Sequence, residues 1–123
     1  MSKHIMIVDD SQTIRNLLAF VVKSEGFRVT TAENGFDGLE KLYNSTEQVD
    51  LIISDINMPR MDGFTFIKTL REQDAYKDVP IIVLSTEGRE QDIAMGMTLG
   101  ANLYMVKPAE PAKMVRNIKM LLG

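Results

Sequence analysis

Residues 51–63 read Leu51-Ile52-Ile53-Ser54-Asp55-Ile56-Asn57-Met58-Pro59-Arg60-Met61-Asp62-Gly63. A short apolar run with no polar alternation ends in a serine and an aspartate, then passes into a proline-containing turn. Unbroken apolar runs of this length are how strands buried on both faces of a parallel sheet read. Three more occur at Ile5-Met6-Ile7-Val8, Ile81-Ile82-Val83-Leu84 and Leu103-Tyr104-Met105-Val106. A fifth run, Arg28-Val29-Thr30-Thr31, is shorter and more polar, which suits an edge strand.

Helical periodicity fills the intervals. Ile14, Leu17, Leu18, Val21 and Val22 form a one-sided apolar stripe. Ser11 stands where a cap belongs and Gly26 just past the end. Phe36, Leu39, Leu42 and Tyr43 mark a second helix, and Phe64, Ile67 and Leu70 a third. Met114, Val115, Ile118, Leu121 and Leu122 mark the last, with Pro111 in its first turn. The interval Glu90–Leu99 has Gly88 before it, Gly96 inside and Gly100 after. An interior glycine costs about 1 kcal/mol against alanine, so this fourth helix is expected to be the least stable. The βα unit recurs five times with connections of about two to six residues. An α/β fold follows, with one parallel sheet covered by helices on both faces. Residues 1–123 are expected to form a single domain without an output domain.

Composition narrows the function. A chain of 123 residues, 45% apolar and 25% charged, is an ordinary globular domain rather than a disordered one. Surface scaling leaves roughly 6,600 Å² exposed out of about 20,000 Å². The absence of cysteine excludes disulfides, thiolate metal sites and a cysteine nucleophile. The single histidine, His4, excludes a two-histidine metal site and leaves little room for a Ser-His-Asp triad. No apolar run approaches the ~18–20 residues that span a bilayer, and the first residues do not read as a cleavable leader, so a cytoplasmic protein is expected. A net charge of −3 and a pI near 5.1 argue against nucleic-acid binding. Residues 93–123 nevertheless set four bases (Lys107, Lys113, Arg116, Lys119) against one acid (Glu110), which suggests a protein partner.

Ligands of open parallel sheets bind beyond the carboxyl ends of the strands. Here the first strand ends in Asp9-Asp10, the third in Ser54-Asp55, the fourth in Ser85-Thr86 and the fifth in Lys107-Pro108. Each has an ordinary reading alone: a strand-end aspartate or hydroxyl caps a helix, a lysine is solvated, Asn57-Met58-Pro59 is a turn. Their conjunction on one rim is what ordinary causes do not supply. Close carboxylates repel by about 4 kcal/mol per pair at an effective dielectric near 20, so they need shared protons or a cation. Oxygen-only ligation with room for water suits Mg²⁺ better than Ca²⁺. A metal beside a carboxylate, a lysine and a hydroxyl suits a phosphoryl group in transfer, with a carboxylate able to act as nucleophile. Neither GxxxxGK nor GxGxxG occurs, which argues against nucleotide binding.

Val8-Asp9-Asp10-Ser11, Ile53 through Gly63, Leu84-Ser85-Thr86-Glu87 and Val106-Lys107-Pro108 together resemble the signature of response-regulator receiver domains, single-domain chemotaxis regulators of the CheY type being the nearest kind. The resemblance covers essentially the whole chain. It implies a flavodoxin-like, doubly wound sheet of order 2-1-3-4-5 in three αβα layers. It implies Asp55 as phospho-acceptor, served by a sensor histidine kinase. Mg²⁺ would be held by Asp10, Asp55, the Asn57 backbone carbonyl and, through water, Asp9. Lys107 would pair with Asp55 and then with the phosphoryl group, and Ser85 would bond that group after transfer. Tyr104 would be the switch aromatic, and the Lys107-Pro108 bond would be cis. Asn57 and Glu87 match positions that tune the lifetime of the phosphorylated state, and Thr86 is bulkier than usual at its place.

The output face implied is the fourth helix, fifth strand and fifth helix. Met95, Met97, Met105, Met114 and Met120 crowd this last third, and flexible thioethers suit adaptable surfaces, although methionines also simply fill cores. The expected role is a monomeric switch that is not itself an enzyme acting on a separate substrate, most naturally in chemotaxis with a flagellar motor switch protein as partner. Three alternatives stay open. One is a phosphorelay intermediate passing phosphate to a histidine phosphotransfer protein. Another is a receiver-like binding module that takes no phosphate. The third is a Mg²⁺-dependent phosphatase, against which stands the adjacency of Asp9 and Asp10 where such enzymes use Asp-x-Asp.

Overall fold

The computed structural model describes residues 2–123. Its elements run β1 (His4–Val8), α1 (Gln12–Ser24), β2 (Arg28–Ala32), α2 (Gly35–Asn44), β3 (Leu51–Ser54), α3 (Gly63–Arg71), β4 (Ile81–Ser85), α4 (Glu90–Leu99), β5 (Leu103–Val106) and α5 (Pro111–Leu122). The strands are parallel, in the order β2-β1-β3-β4-β5. Exposed surface totals 6697 Å², in line with the scaling expectation.

Strand alternation sends successive residues to opposite faces. Met6, Val8, Ile52 and Val83 pack with Leu39 of α2 and Phe66 of α3 on one side. Ile5, Ile7, Ile53 and Leu84 pack with Leu18 of α1 and Ile118 of α5 on the other. β1, β3 and β4 are buried throughout, which is why they read as continuous apolar runs. β5 takes the place the implied order 2-1-3-4-5 gives it, but is less buried than its apolar run predicts. It closes the sheet as an edge, with Leu103 and Tyr104 half-buried and Val106 45% exposed. An edge strand lacks a neighbour on one flank, and an apolar run alone does not reveal that.

Ser11, Asn34 and Asp62 cap α1, α2 and α3 by accepting bonds from Ile14 N, Asp37 N and Thr65 N. α4 forms as expected, without a capping side chain, and Gly96 is its buried residue. Its carboxyl end is held by Arg71, whose guanidinium donates to the Gly100 and Tyr76 carbonyls, each at 2.8 Å, and to Asn102 Oδ1 at 3.1 Å. The methionines divide: Met105 and Met114 are core, whereas Met95, Met97 and Met120 are exposed. Connections 55–62 and 72–80 are longer than expected. The first carries the site, and the second is a series of turns with Tyr76 packed against the core. Among the described residues, no helix is long and apolar enough to cross a membrane.

Candidate functional site

The parallel register aligns the carboxyl ends of the strands, pairing Val8 with Ser54, Ser54 with Val83, and Ser85 with Val106. The ladder continues one residue further at each place that matters. Asp9 N donates to Ala32 O at 3.0 Å, Asp55 N to Val8 O at 2.9 Å, and Lys107 N to Ser85 O at 2.7 Å. The sheet itself therefore fixes the backbone of two carboxylates and the lysine.

One carboxylate oxygen from each of Asp9, Asp10 and Asp55 lies within 4.8 Å of the others. Asp9 and Asp55 are buried and Asp10 is exposed. Asp9 Oδ1 accepts from Ser11 N at 2.9 Å, and its carbonyl accepts from Arg15 Nη1 at 2.6 Å. Asp55 Oδ1 accepts from Ile56 N at 2.6 Å. Lys107 Nζ donates to Asp9 Oδ2 at 2.8 Å and to Asp55 Oδ2 at 3.0 Å. The resemblance led us to expect the amine on Asp55; it is shared, and the bond to Asp9 is the shorter.

Burial pushes the Asp9 carboxyl above its ordinary value, against the pull of the Lys107 amine and the Ser11 N–H. Burial also works to lower the Lys107 ammonium, but its bonds to two carboxylates outweigh this and hold it above its ordinary value. Three clustered carboxyl groups, two of them on the Lys107 amine and with no softer donor, fit a hard divalent cation that keeps part of its water.

Ser85 is fully buried, and its Oγ accepts from Glu87 N at 3.1 Å. The Glu87 carbonyl accepts from the Tyr104 hydroxyl at 2.5 Å, and its carboxylate accepts from Asn57 Nδ2 at 2.9 Å. Ser85, Glu87, Tyr104 and Asn57, predicted separately, thus form one bonded chain. Burial pushes the Tyr104 phenol above its ordinary value. Thr86 is exposed and, with Lys107 and Pro108, borders an open apolar groove of about 370 Å³ against α1. The Lys107-Pro108 peptide is cis.

Two contributors lay outside the expected set. Gly63, at the start of α3, donates its N–H to Ile56 O at 2.8 Å and brings the helix against the Asp55 backbone. A Cβ there would fall 2.1 Å from the Asp55 carbonyl oxygen. Asp62 starts the same helix through Thr65 N at 2.9 Å. The Asp-Gly pair ahead of an apolar stripe signals a capped helix start, but nothing in the sequence signals the contact with Asp55.

Comparison with known proteins agrees with this geometry. The family model described as response regulator receiver domain matches residues 5–119. The alkaline phosphatase synthesis transcriptional regulatory protein PhoP of Bacillus subtilis is 37% identical over 122 residues, covering 99% of this chain. The chain spans about half of that relative's length, 49%. The chemotaxis response regulator CheY4 of Vibrio cholerae superposes with a TM-score of 0.91 at 35% identity, over 99% of this chain and 100% of that one. The CheX-CheY-BeF3-Mg²⁺ complex of Borrelia burgdorferi matches with a TM-score of 0.91 at 32% identity, over 98% of this chain and 90% of that one. By the match to its family model, its fold and the carboxylate rim above, the chain belongs to the response regulator receiver domains.

Proposed function

We propose that this chain is a phosphorylation-controlled switch of a two-component system, with Asp55 taking a phosphoryl group from a phosphohistidine on a sensor histidine kinase. The observation that carries the reading is the cluster of three carboxylates within 4.8 Å, two of them bonded to one half-buried lysine amine. Asp10, Asp55 and the Asn57 carbonyl would hold Mg²⁺, with Asp9 acting through water. When bound, Mg²⁺ supplies charge neutralisation for the phosphoryl oxygens.

The chain's own groups do the remaining work. A carboxylate oxygen of Asp55 bonds to phosphorus as the nitrogen–phosphorus bond of the donor breaks, and the bonding pair leaves with the imidazole. Lys107, already on Asp55 Oδ2, moves its donation to the phosphoryl oxygens. Ser85 Oγ accepts from Glu87 N, which leaves its own proton to donate to the phosphoryl group. Movement of Ser85 is felt by Tyr104 through Glu87, and shifts a two-state equilibrium at the face of α4, β5 and α5. All of this chemistry acts on the chain's own aspartate.

The elements of that face expose Met95, Met97, Met120 and Val106 together with the basic α5 side chains Lys113 and Arg116, which favours a partner with apolar and acidic groups. Similarity to CheY4 along its full length supports chemotaxis, and a flagellar motor switch protein is the target proposed for this face. The Borrelia neighbour, a CheY with BeF3 and Mg²⁺, supports Mg²⁺ as the cation.

The test is intact-mass measurement after incubation with Mg²⁺ and acetyl phosphate, with Asp55→Asn as control. One labile phosphoryl adduct on the wild type and none on the variant is expected. No adduct from acetyl phosphate, and none from a phosphorylated kinase, would overturn the reading.

A further inference from the structure

α4 crosses the fold over Tyr104, and it does so at Gly96. A Cβ on Gly96 would lie 3.2 Å from Tyr104 Cδ2 and 3.4 Å from Cε2, with Phe64 Cε1 at 3.7 Å. The first distance is tighter than side-chain carbons ordinarily tolerate. Gly96 lies inside a regular helix and is not among the glycines with positive φ. Alanine would be the better helix former here, so local backbone preference does not explain the glycine. The space against the Tyr104 ring does.

The ring is connected to the phosphorylation site by two hydrogen bonds. Its hydroxyl donates to the Glu87 carbonyl at 2.5 Å, and Glu87 N donates to Ser85 Oγ at 3.1 Å. α4 is held at its carboxyl end by Arg71 on the Gly100 carbonyl, while its amino end has no capping side chain. A side chain added at residue 96 would therefore push the ring off Glu87, or lift the uncapped end of α4 away from it.

We propose that Gly96 is a positioning residue of the switch. Lacking a Cβ, it lets α4 close on Tyr104 and hold the Tyr104 hydroxyl on Glu87, which keeps Ser85 in place for a phosphoryl group on Asp55. This rests on the reading of Asp55 and Ser85 given above. It goes further by placing the seat of the switch aromatic on one residue of α4.

Beryllofluoride with saturating Mg²⁺ serves as the phosphoryl probe, its binding followed by ¹⁹F NMR so that the readout does not depend on tyrosine. Gly96→Ala is expected to weaken beryllofluoride binding roughly three- to tenfold, the range that one ordinary hydrogen bond spans. In a Tyr104→Ala background there is no ring for the new methyl to meet, and the same substitution should change affinity less than about twofold. Tyr104→Phe, which removes the hydroxyl alone, should reproduce the weakening and covers the case in which Gly96→Ala folds poorly. Wild-type affinity in both Gly96→Ala and Tyr104→Phe would overturn the proposal. So would an equal loss from Gly96→Ala with and without the ring, which would mean general loosening of α4. A wild type that binds no beryllofluoride would instead overturn the reading of Asp55, and this proposal with it.

Discussion

Gly63→Ala tests whether the approach of α3 to the Asp55 backbone positions the site. The added Cβ falls 2.1 Å from the Asp55 carbonyl oxygen, 2.8 Å from Ile56 Cα and 3.0 Å from the Asp55 carbonyl carbon. Heavy-atom contacts are optimal near 3.5–4.0 Å, so the first contact overlaps by more than about 1 Å. The obstacles are backbone atoms, which cannot swing aside as a side-chain end can. Relief requires moving the Asp55 carbonyl or the first turn of α3. Either movement strains the bond from Gly63 N to Ile56 O and the bond from Ser54 Oγ to Asp55 O, both 2.8 Å. Overpacking costs about 1–3 kcal/mol, and two weakened hydrogen bonds add about 1 kcal/mol each. Alanine's helix propensity returns up to about 1 kcal/mol, leaving a net loss of about 2–4 kcal/mol. With a urea slope near 1.5 kcal/mol/M, the unfolding midpoint should fall by roughly 1–2.5 M. Displacement of Asp55 should also slow its phosphorylation at least tenfold under conditions where the variant is folded, since a shift of about 1 Å is worth up to ~100-fold. Gly26→Ala is the control. Gly26 has φ +90° and nothing within 4 Å of a built Cβ, so this variant should lose about 1–2 kcal/mol of stability and phosphorylate at the wild-type rate. If Gly63→Ala stays within about 0.5 kcal/mol of the wild type, or phosphorylates as Gly26→Ala does, the positioning argument is wrong.

Lys107→Met should destabilise the metal-free protein by about 2–3 kcal/mol, because two buried carboxylates lose their shared amine. Mg²⁺ should restore more of the variant's stability than of the wild type's; equal urea midpoint shifts in EDTA and in Mg²⁺ would contradict this. Asp9 carries a pH signature. Its folded-state value is raised above the ordinary 3.8, so its contribution to stability is present below that pH and lost as pH rises through the folded value. In EDTA, Asp9→Asn should therefore gain on the wild type as pH increases across that window, and a difference constant with pH would exclude it. Asn57 and Glu87 are bonded at 2.9 Å, so their alanine variants should act non-additively on the dephosphorylation rate, by threefold or more. Simple multiplication of the two single effects in the double variant would show that they act independently.

The parts of the fold legible in the sequence are those a segment decides for itself. β1, β3 and β4 announced themselves because a strand buried on both faces has no polar position to hide. Ser11 and Pro111 marked helix starts through local geometry alone. The rim was legible for a related reason: once strands are parallel, whatever follows each apolar run must gather at one edge. The order of the strands was not, because the runs carry no record of their neighbours; the resemblance supplied it. β5 shows the cost of that gap, since an apolar run at a sheet edge reads like one at the centre.

What escaped the sequence depends on distances between segments. Lys107 is on Asp55 as expected, and the pairing of β4 with β3 and β5 also brings its amine onto Asp9, a second partner the sequence did not signal. Gly63 and Gly96 are the sharper cases. Each lies in a helix with ordinary backbone angles, so each would read as a tolerated defect in helix propensity. In space each brings a helix against a neighbour in the site: Gly63 against the Asp55 backbone, Gly96 against the ring bonded to Glu87. A glycine where the backbone does not need one is therefore evidence of a neighbour. Gly63 meets the residue proposed above to take the phosphoryl group, and Gly96 the ring proposed to carry the switch.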